Sequence, residues 1–219
     1  MLYIVSTPIG NLKDITLRAI EVLNEADLIV TEDTRSTGTL LKAHNIEKKP
    51  FISYNDHNAQ KRIPKIIDLL NQNKMIALVS ENGTPAISDP GYKLIKKCIE
   101  NKIQVIPIPG CTALIPGLVS SGFPTDKFAF YGFLPKTGKK KKDMLEAAVA
   151  SGMTSIFYES PHRINKTIKI LEKFYPDKEI CIGREMTKKF EEFVRGKPSE
   201  INKKIAEKPK GEFVLVINR

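Results

Sequence analysis

The sequence predicts an α/β protein of two lobes, residues 1–121 and 122–219, with a mainly parallel sheet in the first. Three observations carry this. Short apolar runs of strand length recur along the chain, stretches with helical spacing separate them, and glycine and proline cluster just after the runs. Buried strands joined by helices are the mark of βαβ units and a parallel sheet.

In chain order, the strand-like runs of the first half are Leu2–Ser6, Asp27–Thr31, the shorter Phe51–Tyr54, Met75–Val79 and Ile103–Ile108. Ile63, Ile66, Ile67 and Leu70 share one face of a helix. A break is expected at Gly122–Asp126. Beyond it Phe128–Leu134, Thr154–Tyr158, Glu179–Gly183, Phe190–Arg195 and Glu212–Ile217 read as strands, with Ile164, Ile168 and Leu171 on a helix face. Ser160-Pro161 suits an N-cap followed by proline at the first helical position, and Asp89 before Pro90 suits another cap.

Composition narrows the class. Hydrophobic residues make up 41% and charged residues 27%, as in ordinary globular proteins. The net charge of +10 makes nucleic acid the first partner to consider and an anionic membrane surface the second. No run is long enough to span a bilayer. The chain enters its first strand without a leader-like segment, and its three cysteines, Cys98, Cys111 and Cys181, are scattered. A cytoplasmic protein without disulfides is therefore expected. His44, His57 and His162 lack metal-ligand spacing, so no metal site is expected. Neither G-x-G-x-x-G nor a P-loop is present.

What stands out is a polar cluster after each apolar run: Thr7–Asn11, Glu32–Arg35, Tyr54–Asn58, Ser80–Gly91 and Pro109–Ala113, with Tyr158–Arg163 in the second lobe. In an open parallel sheet such loops gather at the carboxyl ends of the strands, where ligands bind. Capping alone would explain any one of them; a shared edge favours a ligand site. The Lys139–Lys142 run is either a solvated helix start or a contact for phosphates.

Ser6–Leu12, Glu32–Arg35, the Gly83–Gly91 loop, Glu159–Arg163 and Gly211–Phe213 together resemble the signature of the ribosomal RNA small-subunit methyltransferase I family, within the tetrapyrrole methylases. The resemblance covers the whole chain. It departs where the family has Ser-Asp-Ala-Gly-Thr-Pro and this chain has Ser80-Glu81-Asn82-Gly83-Thr84-Pro85, and in ending near the last strand where many members carry a helical extension.

The resemblance implies a class III methyltransferase fold with a mixed sheet in the second lobe. It implies S-adenosylmethionine in a cleft between lobes, held by Pro8, Asn82, Gly83, Ala86, Ile87, Thr112, Ala113, Tyr158 and Glu212. It implies methylation of a ribose 2′-hydroxyl in 16S rRNA of the small ribosomal subunit, and a homodimer. Glu32, Asp33 and Glu159 are the catalytic candidates, although a structural ion pair with Arg35 competes for the first two. Arg35, Asp56, His57, Arg163, Lys139 and Lys140 are the candidates for RNA contact. Two alternatives stay open, methylation of a small tetrapyrrole and RNA binding without catalysis.

Overall fold

In the first half, β1 (Leu2–Val5), β2 (Leu28–Thr31), β3 (Phe51–Ser53), β4 (Ile76–Val79) and β5 (Val105–Ile108) pair in parallel, in the order β3-β2-β4-β1-β5. The structure is a computed structural model describing residues 1–219, and it resolves into two units, Met1–Thr112 and Ala113–Arg219. All five expected strands of the first unit are present, each trimmed by up to two residues.

Side chains alternate along a strand, so each face of this sheet packs on its own helices. Leu2, Ile4, Ile76 and Leu78 meet Ile66, Ile67 and Leu70 of α3 (Ala59–Asn71) and Leu94 and Cys98 of α4 (Tyr92–Glu100). Val5, Ile29, Ala77 and Val79 meet Ala19, Val22 and Leu23 of α1 (Leu17–Glu25) and Leu41 of α2 (Thr34–Ala43). The adjacent strands β1 and β4 thus feed helices on opposite faces, which opens a crevice at their carboxyl ends.

The second unit contains α5 (Leu114–Val119), β6 (Phe128–Phe133), α6 (Gly138–Ala150), β7 (Thr154–Glu159), α7 (Ile164–Phe174), β8 (Ile180–Arg184), β9 (Glu192–Gly196), α8 (Pro198–Lys204) and β10 (Phe213–Ile217). Its sheet runs β6-β7-β10-β8-β9. Only β6 and β7 are parallel, so the sheet is mixed.

The units divide after Thr112, nine residues before the expected break at 121/122. The cause is α5, which packs on β7 and β10. Gly117 allows the approach, since a Cβ there would stand 2.7 Å from Val214 Cγ1. Three local expectations also shift. The helix α7 begins at Ile164, not Pro161; Ser160 Oγ accepts from Arg163 Nε at 3.0 Å and caps no backbone N–H. Gly91, not Asp89, stands at the N-cap position of α4, with φ of 151°. The strand expected from Phe190 starts at Glu192, because the preceding turn carries left-handed Glu185 and Thr187, and the Thr187 N–H donates to Glu191 Oε2 at 2.7 Å.

Candidate active site

Three loops of the first unit are tied together at the carboxyl ends of β1, β4 and β5. Thr7 N–H donates to Gly83 O at 2.8 Å, and Gly83 N–H returns to Thr7 O at 3.1 Å. Ser6 Oγ lies 2.9 Å from Thr84 Oγ1, which donates to Cys111 O at 2.8 Å. Ser80 Oγ donates to Gly83 O at 2.9 Å. A Cβ on Gly110 would stand 2.7 Å from Ser6 Cβ, so glycine is what lets the third loop close on the first.

The Gly83–Gly91 loop is strained. Ala86 and Ser88 hold φ of 69° and 64°, a region that side-chain-bearing residues rarely enter. Such strain costs of order 1–3 kcal/mol per residue and concentrates at ligand clamps. Gly83, at φ of 90°, takes that geometry without penalty. Ile87 is 38% exposed, so it is not core packing.

A cavity of about 200 Å³ opens beside this knot. Thr7, Pro8 and Asn82 line it from the loops after β1 and β4, and Ser36, Thr37 and Thr39 line it from α2. The sequence reading did not single out the α2 hydroxyls. Their signal was the Thr34–Thr39 stretch, where Ser and Thr recur in a helix that offers better uses for Ala or Leu.

Asp33 stands at the start of α2. Its carboxylate accepts from the backbone N–H of Arg35 at 2.7 Å and of Ser36 at 3.1 Å, and these bonds, the Ser36 one foremost, hold it below the usual carboxylate range. It caps the helix through backbone groups and forms no salt bridge with the Arg35 guanidinium. Glu32 is exposed beside it, and the structure gives its carboxylate no partner. Asp56 is exposed and paired with Lys93 at 3.1 Å. His57 is exposed in a turn in which its N–H donates to Asn55 Oδ1 at 3.1 Å.

In the second unit Glu159 is fully buried and fully engaged. Oε2 receives Lys141 Nζ at 2.9 Å and Thr167 Oγ1 at 2.8 Å; Oε1 receives Arg163 Nη2 at 2.9 Å and the Ser160 N–H at 2.8 Å. A carboxylate saturated in this way holds structure and has no lone pair aimed at a substrate. The same cluster corrects the lysine run. Lys139 and Lys140 are exposed, but Lys141 is buried, because it shares the inward stripe of α6 with Leu145 and Ala148. Arg163 also donates to Leu134 O at 3.0 Å, so most of its guanidinium is spent inside the unit.

Tyr158 has its ring against Phe130 and Phe133, and its hydroxyl accepts from the Leu114 N–H at 3.2 Å. The helix α5 begins at Leu114, and one of its free N–H groups is already satisfied. Glu212 is 64% exposed at its side chain and bonds Lys188 at 2.8 Å, while its N–H donates to Glu185 Oε1 at 3.0 Å. Burial pushes Glu185 up, but the Glu212 N–H and Lys188 outweigh it and hold the carboxyl below its usual range.

Residues 1–202 match the tetrapyrrole (corrin/porphyrin) methylase family model. The ribosomal RNA small subunit methyltransferase I of Thermotoga maritima is 46% identical over 99% of this chain and 97% of its own length. The Bacillus subtilis and Vibrio cholerae proteins of the same name are 45% and 46% identical, and the chain spans 74% and 77% of their lengths. Among solved structures, the methyltransferase CobJ superposes with a TM-score of 0.71 at 16% identity, covering 100% of this chain and 93% of that one. The uroporphyrin-III-C-methyltransferase from Thermus thermophilus superposes at 0.66 and 17%, covering 98% and 93%. These two likenesses speak for the fold alone. The chain belongs to the tetrapyrrole methylase family and, within it, to the ribosomal RNA small subunit methyltransferase I group.

Proposed function

We propose that the protein transfers a methyl group from S-adenosylmethionine to the ribose 2′-hydroxyl of cytidine-1402 in 16S rRNA. The observation that carries this is the 46% identity to a relative of that group over nearly the full length of both chains. The net charge of +10 supports a polyanionic substrate over a small tetrapyrrole.

The knot of three loops fits the cofactor. Glycine at 83 and 110 brings backbone close, and the left-handed Ala86 and Ser88 hold a curved segment that plain turns do not need. In this reading Pro8, Asn82, Gly83, Ala86, Ile87, Thr112 and Ala113 hold S-adenosylmethionine, and Tyr158 and Glu212 join them on family likeness. When bound, the cofactor supplies a sulfonium-activated methyl carbon, so that carbon–oxygen bond formation releases a neutral thioether and the hydroxyl proton. The loops contribute orientation, worth roughly 7–11 kcal/mol in well-aligned systems.

For the proton, Glu32 is the carboxylate left by elimination. Glu159 is saturated, Asp56 is paired, and Asp33 is held down as a helix cap, whereas Glu32 is exposed and its carboxylate has no partner. A positioned base contributes about 10²–10⁴-fold. Arg35, Lys139 and Lys140, all exposed, are the proposed phosphate contacts, and the exposed His57 is a further candidate for RNA contact. Asp56, in an exposed pair with Lys93, and Arg163, engaged by Glu159, stay in the proposed RNA set. A cytoplasmic homodimer completes the proposal, and sedimentation equilibrium tests the dimer. No helix is long and apolar enough to cross a membrane.

The test is transfer of labelled methyl from S-adenosylmethionine to purified 30S subunits, with the modified nucleotide mapped by mass spectrometry. Label at the 2′-oxygen of one cytidine is the expected result. Label on a porphyrin precursor with silent subunits overturns it in favour of the small-molecule activity. The absence of any affinity for S-adenosylmethionine overturns catalysis altogether.

A further inference from the structure

We propose a second nucleotide-binding groove on the face of β8, β9 and β10 in the second unit. A cavity of about 380 Å³ lies there under the connection from α8 to β10. That volume is in the range of small-ligand sites. Its floor is apolar, formed by Phe213 with Ile182 and Val194, which sit opposite each other on β8 and β9.

Its rim is cationic. Lys204, Lys208, Lys210 and Arg184 surround it, and Glu192 is the one carboxylate present. That carboxylate is spent on Arg184 Nε at 2.9 Å. The three lysine ammonium groups form no salt bridge, and all three side chains are exposed. Like charges gathered around an apolar floor repel one another, and an anion removes that cost. Three unpaired cations around one cavity match the phosphodiester backbone of a nucleic-acid strand. The occupant is a nucleotide of the rRNA strand outside the methylated position, an assignment that rests on the proposed rRNA activity.

The test uses a fluorescein-labelled single-stranded RNA and 30S subunits. Replacing Lys204→Ser, Lys208→Ser and Lys210→Ser together flattens the log–log salt dependence of RNA binding by ~0.7 for each lysine that meets a phosphate. It raises KM for subunits and leaves kcat unchanged. Glu192→Gln releases Arg184 and steepens the slope, a gain that misfolding cannot mimic. The control replaces the exposed Lys65, Lys96 and Lys102 of the first unit by Ser and holds the wild-type slope. An unchanged slope in the groove variant, or an equal loss in the control, overturns the groove while wild-type methylation of subunits leaves the function standing. Failure of the wild type to methylate subunits, with the groove variant still flattening RNA binding, overturns only the function.

Discussion

Replacing Glu159 by Gln removes one charge from the centre of a buried cluster and leaves its partners in place. Lys141 is then an ammonium 5% exposed at its side chain, with only Thr167 Oγ1 and an amide oxygen to answer it. Removing one partner of a buried pair costs about 3–5 kcal/mol, because the survivor stays desolvated without its counter-charge. At about 2–4 °C per kcal/mol for a chain of this size, that is a fall in Tm of roughly 6–20 °C. Lys141→Met costs less, about 1.5–3 kcal/mol, since Glu159 still receives Arg163 and the Ser160 N–H. The double variant costs less than the two combined by about 0.5–3 kcal/mol, because the second change removes the charge that the first one stranded. The chain has no tryptophan, so urea unfolding is followed by far-UV circular dichroism. A Glu159→Gln cost below about 1 kcal/mol, or additive single effects, refutes the reasoning. Near-wild-type kcat in folded Glu159→Gln confirms that this carboxylate is not the base.

Glu32→Gln lowers kcat with cofactor affinity unchanged in calorimetry, whereas Asp33→Asn, which keeps a good N-cap, retains more turnover; the reverse order exchanges their roles. Gly117→Ala forces a methyl against Val214 and costs about 1–3 kcal/mol in urea, recovered in part by adding Val214→Ala. Burial pushes Cys98 and Cys181 up to about 11 and raises Cys111 as well, so a disulfide reagent at pH 8 titrates these thiols slowly until urea exposes them. Glu185 is depressed in the folded state, so its contribution is present above its ordinary value of 4.5 and is lost as pH falls through the lower folded one. Lys188→Gln therefore destabilises the protein at neutral pH, and the difference from wild type shrinks in acid; a gap that is constant with pH removes Lys188 as the cause.

What was legible in the sequence follows from which forces are local. Strand runs and helix faces are set by apolar periodicity, and these recovered the strands of both units with small errors at the ends. Where tertiary packing overrode a local signal, the reading slipped. Ser160-Pro161 has the composition of a helix start, but Arg163 takes the Ser160 hydroxyl and the helix waits until Ile164. Gly122 and Pro124 look like a domain break, yet α5 is already committed to β10 through Gly117.

Lys141 is the instructive case, because half of its fate was written in the chain. Its spacing to Leu145 and Ala148 places it on the inward stripe of α6, which a pattern search could have found. The other half was not. Nothing local tells that Glu159, eighteen residues on, lies under the same stripe to neutralise it. A lysine in a basic run and a glutamate in a motif-like segment each invite a functional role, and together they cancel in a buried pair. Reading charge by sequence neighbourhood thus overcounts the groups available to substrate. Glu32 stays a candidate for the complementary reason, since neither its neighbours in sequence nor any in space have claimed its carboxylate.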